Sequence, residues 1–140
     1  MRTDIAKAME IAWSVHREQK DKGGNPYIQH PLTVASKQDT ENGIIVALLH
    51  DVVEDSAYTI DDLKEIGFSA EVCEAVDLLT HKQGENYSEY IQKIKKNELA
   101  RKVKIQDLTH NMDPTRLGAL TEKDRERMQK YKTAFAMLTE

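Results

Sequence analysis

The residues best suited to chemistry sit at the end of an apolar run. Gly43-Ile44-Ile45-Val46-Ala47-Leu48-Leu49 leads into His50-Asp51-Val52-Val53 and closes on Glu54-Asp55. Such a run belongs in a core, where an imidazole and a carboxylate are costly unless they find partners or a metal. On a helix, His50 and Glu54 fall one turn apart on one face, and Asp51 and Asp55 do the same on the adjoining face. Two more side chains extend the candidate set. His30 precedes Pro31, and Asp107 is a lone acid within Val103-Lys104-Ile105-Gln106-Asp107-Leu108. Histidine and carboxylate are the available metal-ligand types, because Cys73 stands alone. Taken singly, each candidate has a plainer reading. A histidine beside a proline is commonly a surface or capping residue, and Asp107 could pair with Lys104 on a solvated helix face.

Helices are the elements expected to position these groups. Ile5, Met9, Ala12, Trp13 and His16 recur at helical spacing and predict an amphipathic helix from residue 4 to about 20. Gly23-Gly24-Asn25-Pro26 ends it, and Pro31 suits the first turn of a short helix carrying Leu32, Val34 and Ala35. Asn42-Gly43 introduces the central helix, read as continuous to Asp55. Thr59-Ile60-Asp61-Asp62 resembles a capping box, Gly67 stops that helix, and Ser69 caps the next. Tyr87 to Ile94 and Leu99 to Asn111 follow as helices, the second carrying Lys104, Asp107 and Asn111. Asp113-Pro114 reads as a cap with proline at the first helical position, and Thr121 starts the last helix. Trp13, Tyr87, Tyr90, Tyr131 and Phe135 are assigned to core packing. No alternating strand pattern competes, so the expected fold is all-α, a compact single domain over residues 1–140.

Composition narrows the function classes. With 39% apolar residues in 140, the chain can bury a core. A charged fraction of 31% and a net charge of −4 exclude a general nucleic-acid or membrane binder. One cysteine excludes an internal disulfide framework. No signal-peptide core or membrane-spanning run is evident, so a cytoplasmic location is expected. Lys93, Lys95, Lys96, Arg101, Lys102 and Lys104 form a basic run, read as a solvated face apart from Lys104, a candidate phosphate contact.

The pattern of His30, then His50-Asp51, then Asp107 resembles the HD superfamily of metal-dependent phosphohydrolases. The resemblance is closer still to the hydrolase domain of RelA/SpoT homologues. It is carried by Tyr27-Ile28-Gln29-His30-Pro31, by Ala47-Leu48-Leu49-His50-Asp51-Val52-Val53-Glu54-Asp55, and by Val103-Lys104-Ile105-Gln106-Asp107-Leu108-Thr109-His110-Asn111. The HD-x-x-ED segment is its most specific part. The family implies a helical HD-domain fold and removal of the 3′-pyrophosphate from ppGpp and pppGpp in a manganese-dependent reaction. It implies His30, His50, Asp51 and Asp107 as metal ligands, with Glu54 and Asp55 positioning or deprotonating the attacking water, and Asn111 contacting the nucleotide. Imidazole and carboxylate suit a divalent first-row metal, so Fe, Co and Zn fit the same ligand types as Mn. The family's long members also carry a synthetase domain, for which 140 residues leave no room; a stand-alone hydrolase is expected.

One departure bears on the substrate. Where the family carries Arg-Lys before the first ligand, with the arginine against guanine, this chain has Asp21-Lys22. A carboxylate supplies neither a cation nor a flat guanidinium. Lys22 is retained as a phosphate or ribose contact. The expected partner is a small phosphorylated nucleotide, best a ppGpp-type alarmone. The alternatives are hydrolysis of another nucleotide or phosphate ester, and a non-catalytic nucleotide-sensing or partner-binding domain.

Overall fold

The computed structural model describes residues 3–116 and 120–140, and every regular element among them is helical. These are α1 (Asp4–His16), α2 (Gln29–Ser36), α3 (Glu41–Leu49), the single turn α4 (Val52–Asp55) and α5 (Ile60–Ile66). They continue with α6 (Ala70–Leu79), α7 (Tyr87–Lys95), α8 (Glu98–Asn111), a 3₁₀ turn (Pro114–Arg116) and α9 (Glu122–Thr139). None is long and apolar enough to cross a membrane.

The hub is α3. Ile45, Val46, Ala47, Leu48 and Leu49 are all buried, so this helix is apolar all round and sunk in the core rather than laid upon it. It packs against α1, α2, α6 and α8. Burying one leucine or isoleucine contributes about 1.5–3 kcal/mol, and α3 buries Ile45, Leu48 and Leu49 together. Thr40 caps its start, accepting the Gly43 N–H at 3.0 Å.

The expectation of one helix through Asp55 is corrected here. α3 stops at Leu49, Asp51 turns to φ −105° and ψ −1°, and α4 starts afresh at Val52. The cause is local. A continuing helix would give the Ala47 carbonyl to the Asp51 N–H, but His50 Nδ1 donates to it at 2.5 Å. The elbow brings His50 Nε2 within 3.1 Å of Asp51 Oδ2. Neighbours on a straight helix point about 100° apart and do not converge in this way.

Most of the expected caps hold. Thr59 and Asp62 form the capping box, and Gly67 ends α5 at φ 112°, a left-handed conformation that favours glycine. Ser69 caps α6. Thr121 begins α9 in a second capping box with Asp124. Asp113-Pro114 opens only the 3₁₀ turn, its carboxylate accepting the Thr115 N–H at 3.0 Å.

Two expectations fail near the N-terminus. α1 ends at His16, short of residue 20, because the chain folds back on itself. Lys20 and Pro26 form an antiparallel bridge, and the Tyr27 N–H donates to the Gln19 carbonyl at 2.8 Å. Trp13 is not a core residue but 53% exposed. The buried face of α1 runs through Ala8, Ile11, Ala12 and His16, which turns Met9 and Trp13 to the flank.

Candidate metal centre and active site

The four expected metal ligands come from two helices and one elbow, and they meet. His30 is the second residue of α2, His50 and Asp51 form the elbow after α3, and Asp107 lies on α8. Asp107 Oδ1 is 2.7 Å from His30 Nε2 and 3.3 Å from His50 Nε2. Asp51 Oδ2 is 3.1 Å from His50 Nε2 and 3.9 Å from His30 Nε2. His30, His50 and Asp107 are buried, with ligand atoms within 4.8 Å of one another. His50 Nε2 is buried and, among the described residues, makes no hydrogen bond of good geometry. An orphaned imidazole nitrogen between two carboxylates is what a divalent cation would satisfy, so the residues present fit a metal.

Each ligand is held from behind. The bond from His50 Nδ1 to the Ala47 carbonyl turns Nε2 toward the cluster. His30 stacks on His110, with ring centroids 5.0 Å apart and planes 6° apart, and the two Nδ1 atoms are 2.7 Å apart. One must donate. Burial, Arg116 and His30 lower the His110 pKa to about 4, so His110 is neutral at pH 7. To offer an Nε2 lone pair to a metal, His30 would donate from Nδ1 and His110 accept. Tyr27 donates its hydroxyl to Asp51 Oδ2. Asp107 Oδ2 accepts from Lys104 at 2.9 Å, and its Oδ1 accepts from Asn111 at 3.2 Å. Burial opposes the charge on Asp107, but Lys104, His30 and His50 hold its carboxyl well below the usual range.

The elbow parts the two acids that follow. Glu54 lines a cavity of about 200 Å³ together with His50, Asp51, Asp107, Lys104 and Asn111. Its Oε1 accepts the His81 backbone N–H at 2.5 Å, and partial burial raises its pKa. Asp55 turns instead toward α1, accepting from Gln19 Nε2 at 3.3 Å and lying 3.9 Å from His16 Nδ1. Burial and Asp51 raise its pKa.

The expected substrate contacts divide as well. Lys104 and Asn111 both line this cavity, although each is also tied to Asp107. Lys22 lies in a neighbouring cavity of about 270 Å³, bonded to Asp124 at 2.8 Å. Tyr27, Asn111 and Tyr131 line both cavities, so the two form one groove. The remaining basic run is solvated: Lys93 pairs with Glu85, Lys95 with Glu140 and Lys102 with Glu98.

Sequence reasoning missed several contributors. His81 pins Glu54 through its backbone, which no side-chain pattern announces. Tyr87 and Tyr131 pack against the core as expected but also line the candidate cavity, and among the described residues the buried Tyr87 hydroxyl has no hydrogen-bond partner. Lys130 of α9 lies 3.9 Å from the Tyr87 ring centroid and adds a cation to the same wall.

Comparison with known proteins agrees with this geometry. The sequence model described as HD domain matches residues 8–109. A guanosine-3′,5′-bis(diphosphate) 3′-pyrophosphohydrolase of Haemophilus influenzae is 37% identical over 136 residues, covering 86% of this chain and 20% of that protein. Its counterpart in Aquifex aeolicus is 42% identical over 101 residues, 63% of this chain and 14% of that protein. The bifunctional (p)ppGpp synthase/hydrolase SpoT of Escherichia coli is 34% identical over 139 residues, 89% of this chain and 19% of that protein. This chain thus spans about a fifth or less of the length of these relatives. A solved structure described as a metazoan ortholog of SpoT that hydrolyzes ppGpp superposes with a TM-score of 0.77 at 21% identity, covering 99% of this chain and 86% of that one. Fold and sequence match agree: the chain belongs to the HD domain family.

Proposed function

We propose that this protein is a metal-dependent phosphohydrolase that removes the 3′-pyrophosphate from a ppGpp-type nucleotide. The observation that carries the reading is the meeting of buried His30, His50 and Asp107 with half-buried Asp51, in a cavity that Glu54, Lys104 and Lys130 also line. The 34–42% identity to ppGpp hydrolases over most of the chain supports the substrate. Manganese is the metal we assign to the four ligands. A divalent ion held there makes a water more acidic and offsets charge on a phosphoryl oxygen.

The chain's own residues supply the rest. Glu54, fixed by the His81 N–H, accepts a proton from water at the cavity wall, and its raised pKa makes it a better base than an ordinary glutamate. Asp55 has a positioning role, tying the end of α4 to Gln19 and His16. Lys104 stays protonated: burial works against its charge, but the Asp107 carboxylate outweighs it. It therefore brings a positive charge to the cavity as well as holding Asp107. Asn111 joins the two halves of the groove and contacts the nucleotide between them. Lys22 reaches the nucleotide only by leaving Asp124, to which it is bonded.

The reading is tested by the metal content of the purified protein together with phosphate and pyrophosphate release from a nucleotide panel that includes ppGpp. About one metal per chain and pyrophosphate release from ppGpp are expected. Turnover of other phosphate esters but not ppGpp would transfer the centre to another substrate. Bound metal with no turnover at all would make the domain a nucleotide sensor or partner-binding module.

A further inference from the structure

We propose that Arg116 reads the nucleobase and that Asp21 positions it. This rests on the reading of the substrate as a phosphorylated nucleotide, and it adds the residue that selects guanine. Arg116 lies in the 3₁₀ turn after α8 and lines the cavity next to the metal centre. Its side chain is 17% exposed and held on two sides. Nη1 donates to the His110 carbonyl at 3.2 Å and to Asn111 Oδ1 at 3.0 Å, while Nη2 is 3.5 Å from Asp21 Oδ2. Among the described residues, Nε makes no hydrogen bond. The guanidinium is thus clamped through its Nη atoms, with the Nε edge left for a ligand.

The contact between the Asp21 loop and the Arg116 turn is built into the backbone. Asp21 Oδ1 accepts the Asn25 N–H at 2.9 Å, so one carboxylate closes the loop and faces the arginine. A Cβ at Gly23 would collide with the Arg116 carbonyl oxygen, so the two segments approach as closely as only glycine permits. Asp21 therefore recruits a guanidinium from the opposite wall of the groove. An arginine at position 21 would lose the bond to Asn25 and set a second cation against Arg116.

Distance from the proposed metal ligands His50, Asp51 and Asp107, which line the other half of the groove, decides which part of a nucleotide this cavity takes. Asp21 and Asp124 both line it, and each has cations beside it: Arg116 with Asp21, and Lys22 and Arg127 with Asp124. Lys20 lines the cavity too, so cations outnumber carboxylates here, and it is the proposed metal ligands in the adjoining half, not charge in this one, that draw the phosphates away. Tyr27, Met128 and Tyr131 give the cavity apolar surface for a flat ring. The phosphates belong in the other half of the groove, with Lys104, Lys130 and the metal ligands. Guanine offers two adjacent acceptors, O6 and N7, to an arginine fork. Adenine sets a donor, N6, beside its N7 and meets the same fork with a mismatch.

The test measures binding and hydrolysis of ppGpp and its adenine counterpart by the metal-loaded protein and by its Arg116→Met, Arg116→Lys and Asp21→Asn variants. The wild type is expected to bind ppGpp the more tightly. Both Arg116 variants should reduce the guanine-to-adenine preference about tenfold to hundredfold, since lysine keeps the charge but not the fork. Asp21→Asn should reduce the preference to a smaller extent. In each variant the change should fall on binding and KM more than on kcat, with the metal retained. A wild type without base preference, or Arg116 variants that keep it, would overturn the assignment even if ppGpp is hydrolysed. Guanine-selective binding that depends on Arg116 but brings no hydrolysis would leave the assignment standing and refute the enzymatic reading.

Discussion

At the scale of single residues, every ligand of the proposed centre has a partner fixing its direction, and these partners can be tested separately from the ligands. His50→Ala removes a ligand and should leave less than a tenth of the wild-type metal content on elemental analysis. Tyr27→Phe leaves all four ligands but removes the hydrogen bond to Asp51. Losing such a supporting bond should weaken metal affinity about 10–100-fold in a chelator competition. Glu54→Gln separates chemistry from metal binding. It should retain the metal and lose about 10²–10⁴-fold in rate. The glutamine oxygen can still accept the His81 N–H, and a charge disfavoured by partial burial is gone, so thermal melting should show no loss of stability. The raised pKa of Glu54 also fixes the sign of the pH dependence. Glu54 must be ionised to accept a proton, so the rate falls as pH drops through that raised value, earlier than an ordinary glutamate would allow. The ligand types could be read from the chain because no other cluster of imidazole and carboxylate emerges from an apolar run. The parting of Glu54 from Asp55 could not, since it depends on a turn made by the His50 side chain itself.

At the scale of elements, α3 joins stability to function. Leu48→Ala in this all-round buried helix should cost about 2–5 kcal/mol on denaturant unfolding. Because His50 follows directly, the same change should loosen the metal. An equally destabilising change at Leu138, at the far end of α9, should leave metal affinity nearer wild type. Capping was largely legible: Thr59, Gly67, Ser69 and Thr121 do what their side chains and φ angles dictate. The elbow and the loop from Arg17 to Ile28 were not. Both are set by side-chain bonds to backbone, His50 to Ala47 and Asp21 to Asn25, which compete with helix in ways periodicity does not record. Trp13 failed for another reason. Its spacing fits a helix face equally well, but Ala8 and Ala12 let α1 approach α3 more closely than a tryptophan would.

At the scale of the whole molecule, the groove is completed by α9, beyond the residues that carry the HD match. This wall supplies Arg127, Met128, Lys130 and Tyr131, and Asp124 at its start holds Lys22 across the groove. Such long-range assembly leaves no local signature. The proposed metal links folding to function, because without it two buried histidines and two carboxylates confront one another. Stripping the metal with a chelator should lower the melting temperature. Restoring manganese at a hundred times its Kd should return about 2.7 kcal/mol of stability. The most direct test of the central claim is pyrophosphate release from ppGpp by the manganese-loaded wild type, side by side with manganese-loaded Glu54→Gln. Release by the wild type and its loss in the variant, with equal metal in both, is the expected result. Equal release by both proteins, or none by a fully loaded wild type, would contradict it.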